Sequence, residues 1–323
     1  MKNINKILLI SCLSTLCSCE VNISSVEESL SGGSSQIGNS ESNIIVENGD
    51  DIDNKAQVII LLGQSNMEGT SYWQHLENHI SKAKFLEYQR GYRDVKISYH
   101  IPWNKAQQSM NHFLPTALGQ GGQDTRFGPE VGLAEYIHNK GYKNVYLVKY
   151  AYGGTSLTKN WRSPSSGGNV GELYTGAVEY ALKAMEVLEG MNLYPEIQAI
   201  CWMQGETDAD GGTIPNYSGQ YYDLQKNFMN DLRNDLAYYG NPNGIGFVDA
   251  GISDCSFWKF HAELNADKQR LSEESELNTY FSTYDLEYLN EPSYGADNAH
   301  YDSVSEIILG QRFGQNVDKY LNR

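Results

Sequence analysis

The sequence predicts an α/β fold: a three-layer α/β/α sandwich around a central parallel sheet of five strands. Two observations lead to this prediction. From residue 55 onward, short apolar runs alternate with longer amphipathic segments, which is the pattern of a parallel sheet covered by helices. Polar, glycine-containing segments directly follow three of the apolar runs, as is typical of the carboxyl ends of strands in open α/β sheets.

The individual elements follow from length and periodicity. Five apolar runs read as buried strands, at 57–62, 95–99, 145–150, 197–203 and 245–250. Helical patterns occupy about 129–140, 172–189, 219–239, 257–271 and 303–321. The stretch from 71 to 127 is less regular, and we expect much of it to form loops over one end of the sheet.

The N-terminus has the features of an export signal. Two lysines precede an apolar run, too short to span a bilayer, that ends at Leu16. The run closes with Leu-Cys-Ser-Cys, which resembles a bacterial lipobox with Cys19 as the lipidated residue; Cys17 is the weaker choice because Leu16 precedes it. We therefore expect a signal peptide over 1–18 and an exported lipoprotein of the bacterial cell envelope, at the outer membrane or surface. Cleavage without lipidation would give a secreted protein.

Residues 19–54 are rich in Ser, Gly, Asn and Glu, so we expect a flexible tether there and a folded domain over 55–323. Removal of residues 1–18 takes away two lysines and no acidic residue, which changes the formal charge from −16 to −18. Such acidity argues against nucleic acid as a partner. Only Cys201 and Cys255 remain in the domain. Cys201 is expected to be buried in a strand, and a single bridge between the two stays open.

Ser65 directly follows the first predicted strand, and Gly63 permits a tight turn that would expose its hydroxyl. Taken alone, such a serine is more often a helix N-cap. A serine hydroxyl is a weak nucleophile, so catalysis requires a base. Asp297 and His300 stand three residues apart before the last helix, where the Asp can orient one ring nitrogen while the other faces Ser65.

Acyl transfer also needs hydrogen-bond donors for the developing oxyanion. The candidates are the backbone N–H groups of Ser65 and Gly153 and the side-chain amide of Gln204, from three strand ends that are expected to converge. Each of the last two also has a structural explanation, Gly153 in a turn and Gln204 in a loop cap.

Five motifs occur in order along residues 56–322. They are Gly63-Gln-Ser-Asn-Met67, Phe127-Gly-Pro-Glu130, Gly153-Gly-Thr-Ser156, Trp202-Met-Gln-Gly-Glu-Thr-Asp208 and Asp297-x-x-His300. Together they resemble the SGNH hydrolase superfamily, which has a flavodoxin-like fold, and within it the sialate O-acetylesterases and acetylxylan esterases. The resemblance implies Ser65 as nucleophile, His300 as general base and acid, and Asp297 as its orienting partner.

The resemblance also implies an oxyanion hole of Ser65, Gly153 and Gln204, with the glycine role open between Gly153 and Gly154. Most of the superfamily has Asn where this sequence, like its branch, has Gln204. Residues expected to support the site or to contact substrate are Gln64, Asn66, Arg126, Glu130, Gly154, Glu206, Asp208 and Trp161. Arg126 is expected to pair with Glu206 or Asp208.

The sequence therefore predicts a serine esterase that removes O-acetyl groups from carbohydrate of the acetylxylan or sialic acid type, with no metal or organic cofactor implied. Its expected partners are an acetylated poly- or oligosaccharide and the membrane that would hold the lipid on Cys19. Loop aromatics are the expected contacts to sugar rings, namely Trp73, Trp103, Tyr152 and Trp161. Two alternatives stay open: a glycan-binding surface lipoprotein without activity, and an esterase for a non-sugar acyl group.

Overall fold

The computed structural model describes residues 54–109, 111–211, 219–291 and 295–321. The predicted signal peptide, the lipidation site at Cys19 and the predicted tether up to residue 53 lie outside these residues. The described part of the chain forms a mostly parallel sheet flanked by helices, which confirms the predicted fold class. None of its helices is long and apolar enough to cross a membrane.

The strands are β1 (Lys55–Gly63), β2 (Ser71–Tyr72), β3 (Tyr92–His100), β4 (Leu114–Thr116), β5 (Arg126–Phe127), β6 (Val145–Ala151), β7 (Tyr194–Met203), β8 (Gly246–Ala250), β9 (Asn278–Phe281), β10 (Tyr288–Glu291) and β11 (Gly295–Tyr301). The helices are α1 (Ser65–Glu68), α2 (Trp73–His79), α3 (Lys82–Arg90), α4 (Glu130–Lys140), α5 (Glu172–Gly190), α6 (Glu206–Ala209), α7 (Gln220–Asp235), α8 (His261–Ser272) and α9 (Ser303–Val317).

The central sheet has the strand order β4-β3-β6-β1-β7-β8-β9. Its neighbouring strands are parallel, apart from the antiparallel pair β3 and β4. Numbered along the chain, the strands β6-β1-β7-β8-β9 have the order 2-1-3-4-5, which is the flavodoxin-like arrangement. The strand order changes direction at β1, which lies between β6 and β7. A binding site is therefore expected beyond the carboxyl ends of these three strands.

The sheet differs in detail from the prediction. All five predicted strands are present, but β4 and β9 were not predicted, so the described residues form a seven-stranded sheet rather than a five-stranded one. The segment from 71 to 127 is not mainly loop, because it contains α2 and α3. The helix predicted to begin at residue 257 begins at His261, and the residues before it form a loop after β8.

Burial explains why β1 is the central strand. Every residue of β1 after Lys55 is buried, and the run Val58–Leu62 is apolar throughout, as in strands covered on both faces. Cys201 is buried in the neighbouring strand β7, as predicted. Cys201 and Cys255 are both free thiols, so the bridge that the sequence left open is not formed.

Helix α9 is held close to α4 by two glycines. A Cβ on Gly132 would lie 2.0 Å from the carbonyl oxygen of Ile307, and one on Gly310 would lie 2.1 Å from that of Pro129. The close crossing therefore requires glycine at both positions. Asp302 caps α9 by accepting a hydrogen bond of 2.7 Å from the N–H of Ser305. These contacts fix the helix that follows the predicted Asp–His pair.

Candidate active site

Ser65 is the first residue of α1, just beyond the end of β1. The turn between them requires glycine, because Gly63 has φ +152° and a Cβ there would lie 2.0 Å from the carbonyl oxygen of Met203. The N–H of Tyr152 donates to the carbonyl of Gly63 at 3.1 Å, and that of Gln64 donates to Met203 at 2.9 Å. The turn is thereby tied to the ends of both neighbouring strands, β6 and β7.

Asp297 and His300 lie on β11, close to the start of α9. His300 Nδ1 is 2.6 Å from Asp297 Oδ2, and the N–H of Ala299 donates to Asp297 Oδ1 at 3.0 Å. The hydrogen bond to His300 holds the pKa of the Asp297 carboxyl below its usual range, so this carboxylate stays ionised at neutral pH. With Nδ1 engaged, Nε2 is the ring nitrogen left to exchange a proton with a nucleophile.

A pocket of about 550 Å³ contains both Ser65 and His300 in its wall. The described wall residues are Gln64, Ser65, Glu68, Thr70, Trp103, Tyr152, Gly153, Gly154, Thr207, Trp258, Ala299 and His300. No hydrogen bond joins Ser65 Oγ to His300 within the described residues. Such bonds often tighten only when substrate is present, so the arrangement is compatible with catalysis.

Asn66 ties the nucleophile segment to the strand that carries His300. Its Nδ2 donates to Glu206 Oε1 at 2.9 Å and, at 3.4 Å, to the carbonyl of Ala299. The N–H of Tyr301 donates to Asn66 Oδ1 at 3.4 Å. Glu206 is fully buried, and burial raises the pKa of its carboxyl. Asn66 and Glu206 are outside the pocket wall, so they support the site rather than line it.

The predicted backbone donors of the oxyanion hole differ in whether their N–H groups are already hydrogen-bonded. Within the described residues, the N–H groups of Ser65 and Gly154 form no hydrogen bond, and both residues belong to the pocket wall. The N–H of Gly153 instead donates to Glu68 Oε2 at 2.7 Å. Of the two glycines between which the resemblance left the choice open, Gly154 is thus the one with an unengaged donor.

Gln204 is fully buried and is not brought to the pocket wall. Its Nε2 donates to Asp208 Oδ2 at 2.6 Å and to the carbonyl of Thr155 at 3.0 Å, while its Oε1 accepts from the Tyr221 hydroxyl at 2.9 Å. Asp208 also accepts from the N–H of Leu157 at 2.8 Å, and burial raises the pKa of its carboxyl. Gln204 and Asp208 therefore fix the loop after β6, and this arrangement leaves no amide hydrogen of Gln204 for an oxyanion.

Two expectations about the surroundings of the site are wrong. In the described part of the chain, Arg126 forms no ion pair with Glu206 or Asp208, because its Nη2 donates to the Tyr72 hydroxyl at 2.7 Å. Trp161 is completely buried, with its indole N–H bonded inside the protein, so it cannot contact a sugar. In the core its ring packs edge-on against Tyr150 and Trp202.

Lys149 is a supporting residue that the sequence analysis missed. It is fully buried in β6, and its Nζ donates to Glu130 Oε2 at 2.8 Å, to the carbonyl of Gln120 at 2.6 Å and to that of Glu68 at 3.1 Å. Glu130, one of the predicted supporting residues, accepts in turn from the N–H of Gly128 at 2.9 Å. The sequence feature that could have identified Lys149 is its position inside an apolar strand. A buried charge is almost always paired, so a partner such as Glu130 is expected.

Several wall residues were also missed, namely Glu68, Thr70, Thr207 and Trp258. Trp258 comes from the loop after β8, on the same edge of the sheet as the other strand ends. The rule that ligands bind beyond the carboxyl ends of parallel strands would have pointed to this loop. Of the aromatic residues expected to contact sugar, Trp103 and Tyr152 are in the wall.

Residues 55–319 match the family described as carbohydrate esterase, sialic acid-specific acetylesterase. The chain belongs to this family. Membership makes the protein a carboxylic ester hydrolase and confirms the superfamily branch predicted from the motifs. A probable carbohydrate esterase of Arabidopsis thaliana is 28% identical over 204 residues, which cover 60% of this chain and 72% of that protein.

Solved structures share the fold. The X-ray structure of an Arabidopsis thaliana protein has a TM-score of 0.57 at 18% identity, covering 82% of this chain and 98% of the other. The crystal structure of NanS has a TM-score of 0.57 at 14% identity, covering 83% and 98%. A carbohydrate acetylesterase from Xanthomonas citri has a TM-score of 0.55 at 13% identity, covering 81% of this chain and 56% of that one.

Proposed function

We propose that the protein hydrolyses O-acetyl esters of carbohydrates, with Ser65, His300 and Asp297 as its catalytic residues. One observation carries the proposal: His300, oriented by Asp297 at 2.6 Å, shares the wall of one pocket with Ser65. Membership of a carbohydrate esterase family supports carbohydrate as the substrate class and acetyl as the acyl group.

The reaction proceeds in two halves. Ser65 Oγ attacks the acetyl carbonyl while its proton moves to His300 Nε2. The ester C–O bond then breaks, the sugar oxygen takes the proton from His300, and the acetyl group stays on Ser65. A water molecule, deprotonated by His300, attacks this acyl-enzyme, and acetate leaves as Ser65 regains its proton. Asp297 remains ionised throughout and stabilises the imidazolium that forms in each half.

The oxyanion needs N–H donors that lie at the pocket wall and are not already hydrogen-bonded. The N–H groups of Ser65 and Gly154 meet this need, because both are unengaged within the described residues and belong to the wall. Backbone donors of this kind stabilise the charge that develops on the carbonyl oxygen. The N–H of Gly153 would also stabilise the oxyanion only if its hydrogen bond to Glu68 were broken.

Acetate release from acetylated xylan, mannan, pectin and sialic acids tests the proposal. We expect the wild-type protein to release acetate from at least one of these, and Ser65→Ala to lower kcat by at least about 10³-fold. Ser275→Ala is the matched control, because Ser275 is an exposed serine outside the pocket. Equal rates for wild type and Ser65→Ala would contradict the mechanism.

The proposal extends to the location of the enzyme. The sequence of residues 1–19 supports export and lipidation at Cys19. In a bacterial host, Cys19→Ala is expected to move the protein from the membrane fraction to the soluble fraction, whereas Cys17→Ala is expected to leave it in place. Membrane retention of Cys19→Ala would contradict lipidation at that residue.

A further inference from the structure

Glu68 brings an acidic side chain into the pocket wall beside the nucleophile. Its Oε2 accepts hydrogen bonds from Trp103 Nε1 at 2.9 Å and from the N–H of Gly153 at 2.7 Å. A Cβ placed on Gly153 would lie 3.3 Å from Glu68 Oε2 and 3.3 Å from the Cβ of Ser65. The carboxylate and the nucleophile therefore flank one narrow gap.

These two hydrogen bonds engage one carboxylate oxygen, Oε2, and leave the other, Oε1, beside Gly122, where an added Cβ would lie 2.4 Å from it. Oε1 receives no hydrogen bond from the residues that the structure describes, and only 3% of Glu68 is exposed. Burial raises the pKa of the Glu68 carboxyl above its usual value, and the bonds from Trp103 and Gly153 and the charges of Lys149 and Arg126 oppose this rise only in part. Two N–H donors on one oxygen favour the ionised form.

The described wall contains no Lys or Arg, and the two cations that act on Glu68, Lys149 and Arg126, lie outside it. Lys149 is fully buried and paired with Glu130, and Arg126 is bonded to the Tyr72 hydroxyl. The internal segments 110, 212–218 and 292–294, which lie outside the described residues, contain no Lys or Arg. A sugar carboxylate that entered the pocket with the ester would therefore meet a like charge without a counter-ion in the described wall.

We propose that Glu68 determines substrate specificity by accepting a hydrogen bond from a sugar hydroxyl next to the ester and by disfavouring sugars whose carboxylate enters the pocket. The inference rests on the proposed function and deepens it, because it names neutral acetylated sugars as the preferred substrates. The overall charge of −16 acts in the same direction at longer range.

The test compares two esters that differ only at C6: an acetylated methyl glucoside, which has a CH2OH group there, and the corresponding acetylated methyl glycoside of glucuronic acid, which has a carboxylate. At pH 8, we expect wild-type kcat/KM to be at least about tenfold higher for the glucoside, mainly through KM, since one like-charge contact near a protein surface is worth this much. The ratio is expected to shrink when salt is added, because salt screens charge repulsion.

Two variants separate charge from structure. Glu68→Gln keeps the shape and an oxygen that accepts from Trp103 and Gly153, but it removes the charge, so the glucoside-to-glucuronide ratio is expected to fall towards one. Glu273→Gln removes a charge from an exposed residue outside the pocket and is expected to leave the ratio unchanged. Inhibition of the wild-type enzyme by free methyl glucuronide, expected to be weaker than by methyl glucoside, gives the same comparison without a variant.

The outcomes distinguish this inference from the proposed function. Equal kcat/KM for the two esters in the wild-type enzyme, or an unchanged ratio in Glu68→Gln, overturns the role of Glu68 while acetate release still stands. A wild-type protein that releases acetate from neither ester nor from any polymer of the panel contradicts the proposed function, and the role of Glu68 with it.

Discussion

Replacement of Lys149 by Met is expected to destabilise the fold by about 3–5 kcal/mol, the usual cost of leaving one partner of a buried ion pair uncompensated. Lys149 Nζ and Glu130 Oε2 are 2.8 Å apart, and both side chains are 0% exposed. Met removes the charge but nearly preserves the volume, so packing loss contributes little. The carbonyls of Glu68 and Gln120 also lose the donor that Lys149 supplies.

Urea unfolding followed by tryptophan fluorescence measures this cost. The double variant Lys149→Met with Glu130→Gln is expected to recover part of it, because the unpaired carboxylate is gone while a side-chain oxygen still accepts from the N–H of Gly128. Lys183→Met is the control, since Lys183 belongs to an exposed pair with Glu186 and is expected to leave the midpoint nearly unchanged. A loss below about 1 kcal/mol for Lys149→Met would refute the stabilising role assigned to the buried pair.

Two further predictions concern the catalytic pair and a buried acid. Asp297→Asn is expected to lower kcat by about 10³–10⁴-fold because His300 loses the anion that orients it, and acetate release at a normal rate would contradict this. Glu306 is buried with neither carboxylate oxygen hydrogen-bonded in the described residues, and burial raises the pKa of its carboxyl well above the usual value. The folded protein therefore binds a proton at the Glu306 carboxyl more tightly than the unfolded chain does. The loss of stability caused by ionised Glu306 is absent at low pH and grows as the pH rises above the pKa that this carboxyl has in the unfolded chain. Glu306→Gln is expected to stabilise the protein by about 1–3 kcal/mol at pH 8 and by less at pH 5, and an equal gain at both pH values in urea unfolding would contradict the assignment.

The parts of the fold that the sequence predicted are those that local pattern determines. The strands β1, β6, β7 and β8 contain apolar runs, and β3 has apolar residues at alternate positions, so all five need burial wherever they occur. Strand β9 is only half-buried, and its register comes from pairing with β8, so its own residues gave no strand signal. Helix α3 was missed for a similar reason, because only Phe85 and Tyr88 among its residues are buried.

In the site, too, contacts within a short segment could be predicted, whereas contacts between distant segments could not. Asp297 and His300 were predicted as a pair because they stand three positions apart in the sequence, and the structure forms their contact. The environment of Gly153 was not predictable, because the acceptor of its N–H is Glu68, 85 residues earlier in the chain. Gln204 is held away from the pocket by Asp208, four residues later, and by the more distant Thr155 and Tyr221, and these last two contacts could not be predicted from local sequence.

The central claim is that Ser65 carries the acetyl group during turnover. Rapid acid quenching of the protein with excess acetylated sugar, followed by proteolysis and mass spectrometry, detects that intermediate directly. We predict that the peptide containing Ser65 gains the mass of one acetyl group, and that Ser65→Ala gains none and releases no acetate above background. Steady acetate release by Ser65→Ala, or release by the wild-type enzyme with the acetyl group trapped on another residue, would contradict the account.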